Sequence, residues 1–332
     1  MEKNSSKNFV KILILFIKME KFRIFAGTTH PFLAKEIAKI LKIDLSKITL
    51  KKFSCGETFV NLEDSVRGKH VFIIGTTSRE TINEDFMETF LLCDAAKRSF
   101  AKKVHVILPH FCYARQDKIH EARESISAKL MANLLIHSGA DHLITLHLHA
   151  DQIQAFFDVP VDNLNAKKMF IKKLKQENIS RPVIVSPDAG GAKFAKKFAD
   201  LFDAELAILH KNRPSHNKSE IVHVIGDVKG KTPILVDDLI DTAGSVCAAK
   251  EALIKNGSNQ EVYLIATHPV FSGQAVEKME KANFKKILVT NSIPLPEKAK
   301  DKLNIEIVSV APLISNVIEN VMRHKSVSKL FF

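Results

Sequence analysis

Thr232 to His268 reads "TPILVDDLIDTAGSVCAAKEALIKNGSNQEVYLIATH". "TPILVDDL" is an apolar run of strand length, "SVCAAKEALIKNG" sets apolar residues three to four apart and closes on glycine, and "EVYLIATH" is a second apolar run. Such a pattern is the signature of a strand, a crossover helix and a parallel strand buried on both faces. Between the first strand and the helix stand Asp237, Asp238 and Asp241, followed by the small residues Thr242, Ala243, Gly244 and Ser245. Open α/β sheets bind ligands at the carboxyl ends of their strands. Small residues at a strand-to-helix turn let backbone N–H groups approach a phosphate, and the helix N-terminus reinforces them without a lysine. Asp237 and Asp238 suit vicinal hydroxyls, so the loop as a whole fits a ribose phosphate better than a bare phosphate. The competing reading makes Asp241 an N-cap and leaves the other two solvated. It gives no reason for two carboxylates directly after a buried run.

The alternation extends in both directions. Strands are expected at "FRIFAG", "ITLKKFS", "HVFIIGTT", "KKVHVILPH" and "HLITLHLH", and again at "RPVIVSPD", "ELAILHK" and "KKILVTN". Helices are expected between them, at "PFLAKEIAKIL", "NEDFMETFLLCDAAKRSF", "SAKLMANLLIHSG", "AKKMFIKKLKQEN" and "AKFAKKFADLFD". The fold class is therefore α/β, with two similar domains, each a mainly parallel sheet flanked by helices. The 332 residues suit two domains of about 150 residues each. The boundaries are 19–163 and 164–332, with the join at "FFDVPVDNLNAKK", where Pro160 and an Asp/Asn cluster interrupt the periodicity. Residues 1–18, "MEKNSSKNFVKILILFIK", form an N-terminal extension, dispensable or a misassigned start, since Met19 opens "MEKFRIFAG". Its apolar run falls short of the roughly 20 residues of a spanning helix and no cleavage pattern follows, so no membrane role is expected.

Net charge is +12 and the pI about 9.4. The basic residues are dispersed, and with no Trp and two Tyr the composition argues against a nucleic-acid partner. Phosphorylated small molecules account for the charge. The four cysteines have neither CxxC nor metal-type spacing, which points to a reducing, cytoplasmic setting.

The remaining strand ends are rich in charge, glycine and histidine: "KFSCGE", "CYARQD", "HLHAD", "SPDAGG" and "HKNR". This concentration leads us to expect a site built from both domains. Lys211 and Arg213 follow a strand and by alternation share a face. His147 and His149 stand two apart at a strand end, an HxH pair that suggests a metal, with a hydrogen-bonded pair as the alternative.

From Phe22 to the C-terminus the chain resembles the ribose-phosphate pyrophosphokinase family through "FVNLEDSVRG", "YARQDK", "ISAKLMANLL", "HADQIQAFFDVPVDNL", "SPDAGGAKFAK", "LVDDLIDTAGS" and "SVSKLFF", in order. The resemblance implies a type I phosphoribosyltransferase-like fold and transfer of the β,γ-diphosphoryl group of ATP to the C1 hydroxyl of ribose 5-phosphate, within an N-terminal ATP-side domain and a C-terminal ribose-5-phosphate-binding domain. It implies Lys211 and Arg213 as catalytic residues, and Phe53, Cys55, Gly56, Glu57, Arg115 and Gln116 as ATP-binding residues. Ribose 5-phosphate is expected at Arg213, Asp237, Asp238, Asp241, Thr242, Ala243, Gly244 and Ser245. Magnesium, entering as Mg-ATP, is expected at His149 and Asp188, with His147 beside them. A homohexamer is expected by the same resemblance.

Three positions depart from the family pattern. Cys55 stands where Asp or Asn is usual and donates only weakly. His147 stands where Asp is common, a softer ligand that favours manganese. The segment "KIHEARES" (118–125) gains Glu121 and Glu124 where relatives are basic, so weaker phosphate and ADP regulation is expected. A catalytically weak regulatory paralogue is the alternative, opposed by the intact catalytic set. A phosphoribosyltransferase is the third reading, and it leaves "YARQDK" unexplained.

Overall fold

The computed structural model describes residues 21–78, 80–212 and 221–330, so the extension 1–18 lies outside the described residues. They divide into two compact units, one running to Leu164 and resuming at Val310, the other spanning Asn165–Ser309. The second boundary differs from the expected single break. Helix α9 (Ala311–Met322) packs on α1 (Pro31–Leu41), so the chain end returns to the first unit. The sequence pattern leads us to expect α1 but no helix at 311–322, so neither α9 nor its pairing with α1 is read from it.

In the first unit β1 (Phe22–Ala26), β4 (His70–Ile74), β5 (Lys103–Leu108), β6 (His142–Leu146) and β7 (Val161–Leu164) form an all-parallel sheet in that order. Strand alternation sends Val104, Val106 and Leu108 into the core shared with Phe86, Leu92 and Ala96 of α2 (Ile82–Arg98) and Ala132 and Leu135 of α3 (Ser127–His137). The expected strand "ITLKKFS" is not part of this sheet. As β2 (Ile48–Lys52) it pairs antiparallel with β3 (Thr58–Leu62) in a separate hairpin, because the five residues between them turn tightly: Phe53 N–H donates to Glu57 O and Gly56 N–H to Phe53 O, each at 2.8 Å. Gly56 has φ +95°, which a glycine adopts at little cost.

On the sheet's other face a polar ladder crosses the strands. His70 Nδ1 lies 2.9 Å from His105 Nε2, His105 Nδ1 lies 3.0 Å from His142 Nδ1, and His142 Nε2 lies 3.1 Å from Asp162 Oδ2. One assignment, with each ring carrying one proton, makes every contact a hydrogen bond. His142 Nε2–H donates to Asp162, His105 Nδ1–H to His142, and His70 Nδ1–H to His105.

The second unit is a seven-stranded sheet in the order β10 (Ile221–Ile225), β9 (Glu205–Asn212), β8 (Pro182–Ser186), β11 (Thr232–Ile240), β12 (Tyr263–Pro269), β13 (Lys286–Thr290) and β14 (Ile305–Val308). All pairings are parallel except β9 with β10. Ile234, Leu235 and Val236 are successive and all buried, as expected of a strand covered on both faces. The helices are α4 (Lys167–Leu174), α5 (Ala192–Phe202), α6 (Gly244–Lys255), α7 (Ala275–Ala282) and α8 (Glu297–Lys302). The path from β8 runs to β9 on one side, whereas β11 runs through α6 to β12 on the other. The strand order therefore reverses between β8 and β11, and their carboxyl ends flank the crevice where such sheets bind ligands.

Candidate active site

At the end of β8, Ser186 Oγ donates to the carbonyl of Asp188 at 2.7 Å, and Gly191 N–H donates to Asp188 Oδ1 at 2.9 Å. A Cβ on Gly191 would lie 2.8 Å from Ser186 Oγ, so the turn accepts no larger residue without displacing that hydroxyl. The turn holds the exposed Asp188 carboxylate at the mouth of the crevice and opens α5.

Beside it, β11 delivers Asp237 and Asp238, both half-buried. Asp238 N–H donates to Asp237 Oδ1 and Leu239 N–H to Asp238 Oδ1, each at 2.8 Å. Burial, then the charge of Asp238 and that of Asp188, push the Asp237 carboxyl well above the usual carboxylate range. A cation or sugar hydroxyls beside Asp237 would favour its charged form.

Helix α6 begins at Gly244, and its N-cap is Ala243, at φ +61°, with no side-chain capping bond. Asp241 is therefore not the N-cap that one reading of the sequence made it. Ala243 itself offers the first amides of α6 no side-chain acceptor, and a left-handed residue directly before a helix is a geometry from which successive N–H groups can form an anion-binding concavity. Thr242, Gly244 and Ser245 are exposed, and Ala243 is buried.

Lys211 lies within β9 rather than after it: the strand continues to Asn212, with Lys211 paired to Val222 of β10. The antiparallel partner, which the apolar pattern of "ELAILHK" does not reveal, extends the strand. Arg213 lies outside the described residues.

In the first unit the tip of the β2–β3 hairpin presents Phe53, Cys55, Gly56 and Glu57, all exposed. Phe53 is steadied edge-on by Phe59 at 5.7 Å between ring centroids, and Lys51 Nζ sits 4.9 Å over Phe59. After β5, Thr77 Oγ1 donates to His110 O at 3.0 Å and accepts from Cys112 N–H at 3.2 Å, which ties this loop to the end of β4. Tyr113 has φ +65°, Gln116 N–H closes on Tyr113 O at 2.9 Å, and Arg115 is exposed between them. Gln116 Oε1 accepts the Ser127 hydroxyl and its carbonyl accepts Ala128 N–H, so part of Gln116 is committed to starting α3. In the 118–125 segment, Glu124 Oε2 accepts the amides of His120 at 2.8 Å and Glu121 at 3.1 Å, and these bonds lower its pKa.

His147 and His149 do not share a strand face. β6 ends at Leu146, and His147 at φ +47° breaks the alternation, leaving His147 half-buried and His149 exposed around the buried Leu148. Among the described residues no group of three or more His, Cys, Asp or Glu is arranged to hold a metal.

Sequence reasoning missed the clamp at the end of β1. Glu88 of α2 accepts Thr28 N–H at 2.8 Å and Thr28 O–H at 2.7 Å, and Asp85 accepts Thr29 O–H at 2.9 Å and Ser78 N–H at 2.7 Å. A Cβ on Gly27 would meet Glu88 Oε1 at 2.6 Å. Asp85 and Glu88, three apart within "NEDFMETF", were the available signal.

A family model for the N-terminal domain of ribose phosphate pyrophosphokinase matches residues 22–139, and one for the phosphoribosyl synthetase-associated domain matches residues 211–332. The chain is similar to the ribose-phosphate pyrophosphokinase of Helicobacter hepaticus, with 46% identity over 314 residues, 95% of this chain and 100% of that protein. It is 45% identical to the enzyme of that name from Bacillus subtilis over 312 residues, 94% of this chain and 98% of that one. The crystal structure of phosphoribosylpyrophosphate synthetase from Mycobacterium smegmatis superposes with a TM-score of 0.86 at 39% identity, covering 92% of this chain and 99% of that one. The chain therefore belongs to the ribose-phosphate pyrophosphokinase family.

Proposed function

We propose that the chain transfers the β,γ-diphosphoryl group of ATP to the C1 hydroxyl of ribose 5-phosphate, giving 5-phosphoribosyl 1-diphosphate and AMP. One observation carries most weight: a carboxylate pair and a small-residue helix start with Ala243 at its N-cap lie together at the end of β11, in a chain that covers its pyrophosphokinase relatives almost end to end.

Asp237 and Asp238 hydrogen-bond the sugar's ring hydroxyls, while the backbone amides of Asp241 to Ser245 receive the 5-phosphate. Fixing the sugar at both ends leaves its C1 hydroxyl aimed at the incoming phosphorus, and positioning accounts for much of the acceleration in such a transfer. On the ATP side, Phe53 offers a ring face to the base, Glu57 and the backbone at Cys55 and Gly56 bond its edge, and Arg115 and the free amide hydrogens of Gln116 reach the nucleotide. Lys211 and Arg213 bring positive charge to the transferring group as charge builds on its oxygens.

The residues present fit a magnesium ion. Mg²⁺ is held through one or two carboxylates with waters and substrate phosphates, so a closed protein cage is not required. Burial and the charges of Asp238 and Asp188 raise the pKa of the Asp237 carboxyl, and a cation beside it would favour its charged form. Asp188 and His149 would hold it, with His147 favouring manganese as an alternative. Bound magnesium neutralises the phosphates of ATP and orients them for displacement.

For self-association, α3 and the residue before it expose Ile126, Leu130 and Leu134 at spacing four, an apolar stripe suited to a second copy of the chain, and the assembly we propose is a homohexamer. Among the described residues no helix is long and apolar enough to cross a membrane. We propose a cytoplasmic setting and no nucleic-acid partner. The test is release of AMP from Mg-ATP with and without ribose 5-phosphate. Release that depends on the sugar phosphate is expected, and equal release in its absence overturns the proposal.

A further inference from the structure

The end of β11 is held by a segment that lies outside the loop. Phe271 N–H donates to Ile240 O at 2.9 Å, and Ser272 N–H donates to Asp241 O at 3.0 Å. In a trans peptide the carbonyl and the following N–H point in opposite directions. Anchoring the Ile240 and Asp241 carbonyls on one side therefore aims the N–H groups of Asp241 and Thr242 to the other.

The anchoring segment is itself strained. Phe271 is 2% exposed and has φ +51°, a conformation that bulky L-residues avoid and that persists only where the surroundings impose it. Those surroundings are a buried polar network at the ends of β12 and β13. Val270 N–H donates to His268 O at 3.1 Å, and His268 Nδ1 lies 2.9 Å from Ser292 Oγ. Ser292 O–H donates to Thr267 O at 3.2 Å, Thr290 O–H donates to the same carbonyl at 2.6 Å, and Ser292 N–H donates to Thr290 Oγ1 at 3.0 Å. Because the Ser292 hydroxyl hydrogen goes to Thr267, its oxygen accepts from His268, which places a proton on His268 Nδ1. Thr267, His268, Thr290 and Ser292 are each at most 3% exposed.

We infer that His268, through Ser292, is a positioning residue for sugar-phosphate binding, holding the Val270–Ser272 turn that aims the amides of Asp241 and Thr242. The inference rests on reading Asp241 to Ser245 as the ribose 5-phosphate loop. Replacing the imidazole by an apolar side chain frees the turn to relax from its left-handed conformation and misdirects the amides without touching the ligand.

The experiment is steady-state kinetics on the full chain, with ribose 5-phosphate and ATP varied separately. His268→Leu raises KM for ribose 5-phosphate about tenfold and leaves KM for ATP within about twofold, a split that general loosening of the fold would not produce. His268→Asn, whose side-chain N–H falls near the imidazole Nδ1–H, returns KM to within about threefold of wild type. Ser292→Ala removes the partner with a smaller change in volume and gives a rise of the same sign, so the inference stays testable if His268→Leu misfolds. Gly244→Val, in the loop itself, is the reference. If Gly244→Val raises KM for the sugar phosphate while His268→Leu and Ser292→Ala leave it at the wild-type value, with or without a lower Tm, the positioning role is overturned. If Gly244→Val leaves it unchanged as well, the ribose-phosphate reading of the loop falls with it.

Discussion

Replacing His105 by Asn should flatten the acid side of the stability curve. His105 is buried in the sheet of the first unit between His70 and His142, with Lys103 and Asp141 also acting on it. Burial, then the charges of His142 and His70, lower its pKa from 6.5 to about 3. The unfolded chain thus binds a proton on this ring at pH values where the folded chain does not. The stability this group confers is fully present above the unfolded pKa and is lost as pH falls below it toward the folded value. Because the folded value lies well below 5, the loss between about pH 8 and pH 5 follows from the unfolded pKa alone: about 1.5 pKa units at 1.36 kcal/mol each, or about 2 kcal/mol from His105. His70, also lowered by burial, adds in the same direction. The assay is urea unfolding followed by far-ultraviolet circular dichroism, since the chain has no Trp, at one protein concentration and at both pH values. Any constant cost of the substitution cancels when each protein is compared with itself across pH. His105→Asn should lose about 2 kcal/mol less than the wild type on acidification. Equal losses in the two proteins would refute the reasoning.

Two further outcomes follow from single positions. Cys55→Asp restores a strong acceptor at the exposed tip of the β2–β3 hairpin, and KM for ATP should fall by about threefold to tenfold, the worth of one hydrogen bond, with KM for ribose 5-phosphate unchanged; an unchanged KM for ATP places the tip away from the nucleotide. Gly226, at φ +102°, has no room for a Cβ, which would lie 2.8 Å from Leu206 O, so Gly226→Ala should destabilise the protein by about 2 kcal/mol or more in the same unfolding assay, and a change within about 0.5 kcal/mol would contradict the geometry.

Most of the parallel strands are legible in the sequence because burial on both faces forces continuous apolar runs, as in "HVFII" of β4 and "PILV" of β11, whereas the parallel strands β7 ("VDNL") and β14 ("IEIV") are only partly buried and escape. The hairpin partner "TFVNL" escapes because it is half-buried, and α9 is amphipathic yet carries no mark of the partner it packs on. The loop of the second unit is legible for a different reason: its carboxylates and small residues are contiguous, so one short stretch contains most of the chemistry. The residues that support it are not. His268 and Ser292 lie 24 positions apart and meet only through the pairing of β12 with β13. Nothing in a phenylalanine announces the left-handed backbone at Phe271. The His70, His105, His142 and Asp162 ladder is likewise created by lateral register, which periodicity along one strand does not encode. Asp85 and Glu88 sit on the buried side of α2, where a charge normally indicates solvent, and only their bonds to Thr28, Thr29 and Ser78 explain them.

Phosphorus NMR of the complete reaction tests diphosphoryl transfer most directly. With Mg-ATP and ribose 5-phosphate, the β- and γ-phosphorus signals of ATP should move together into one sugar product that retains its 5-phosphate, with AMP formed in equal amount. Appearance of ADP with a sugar carrying a single added phosphate, or of free diphosphate with unchanged ribose 5-phosphate, would contradict the account.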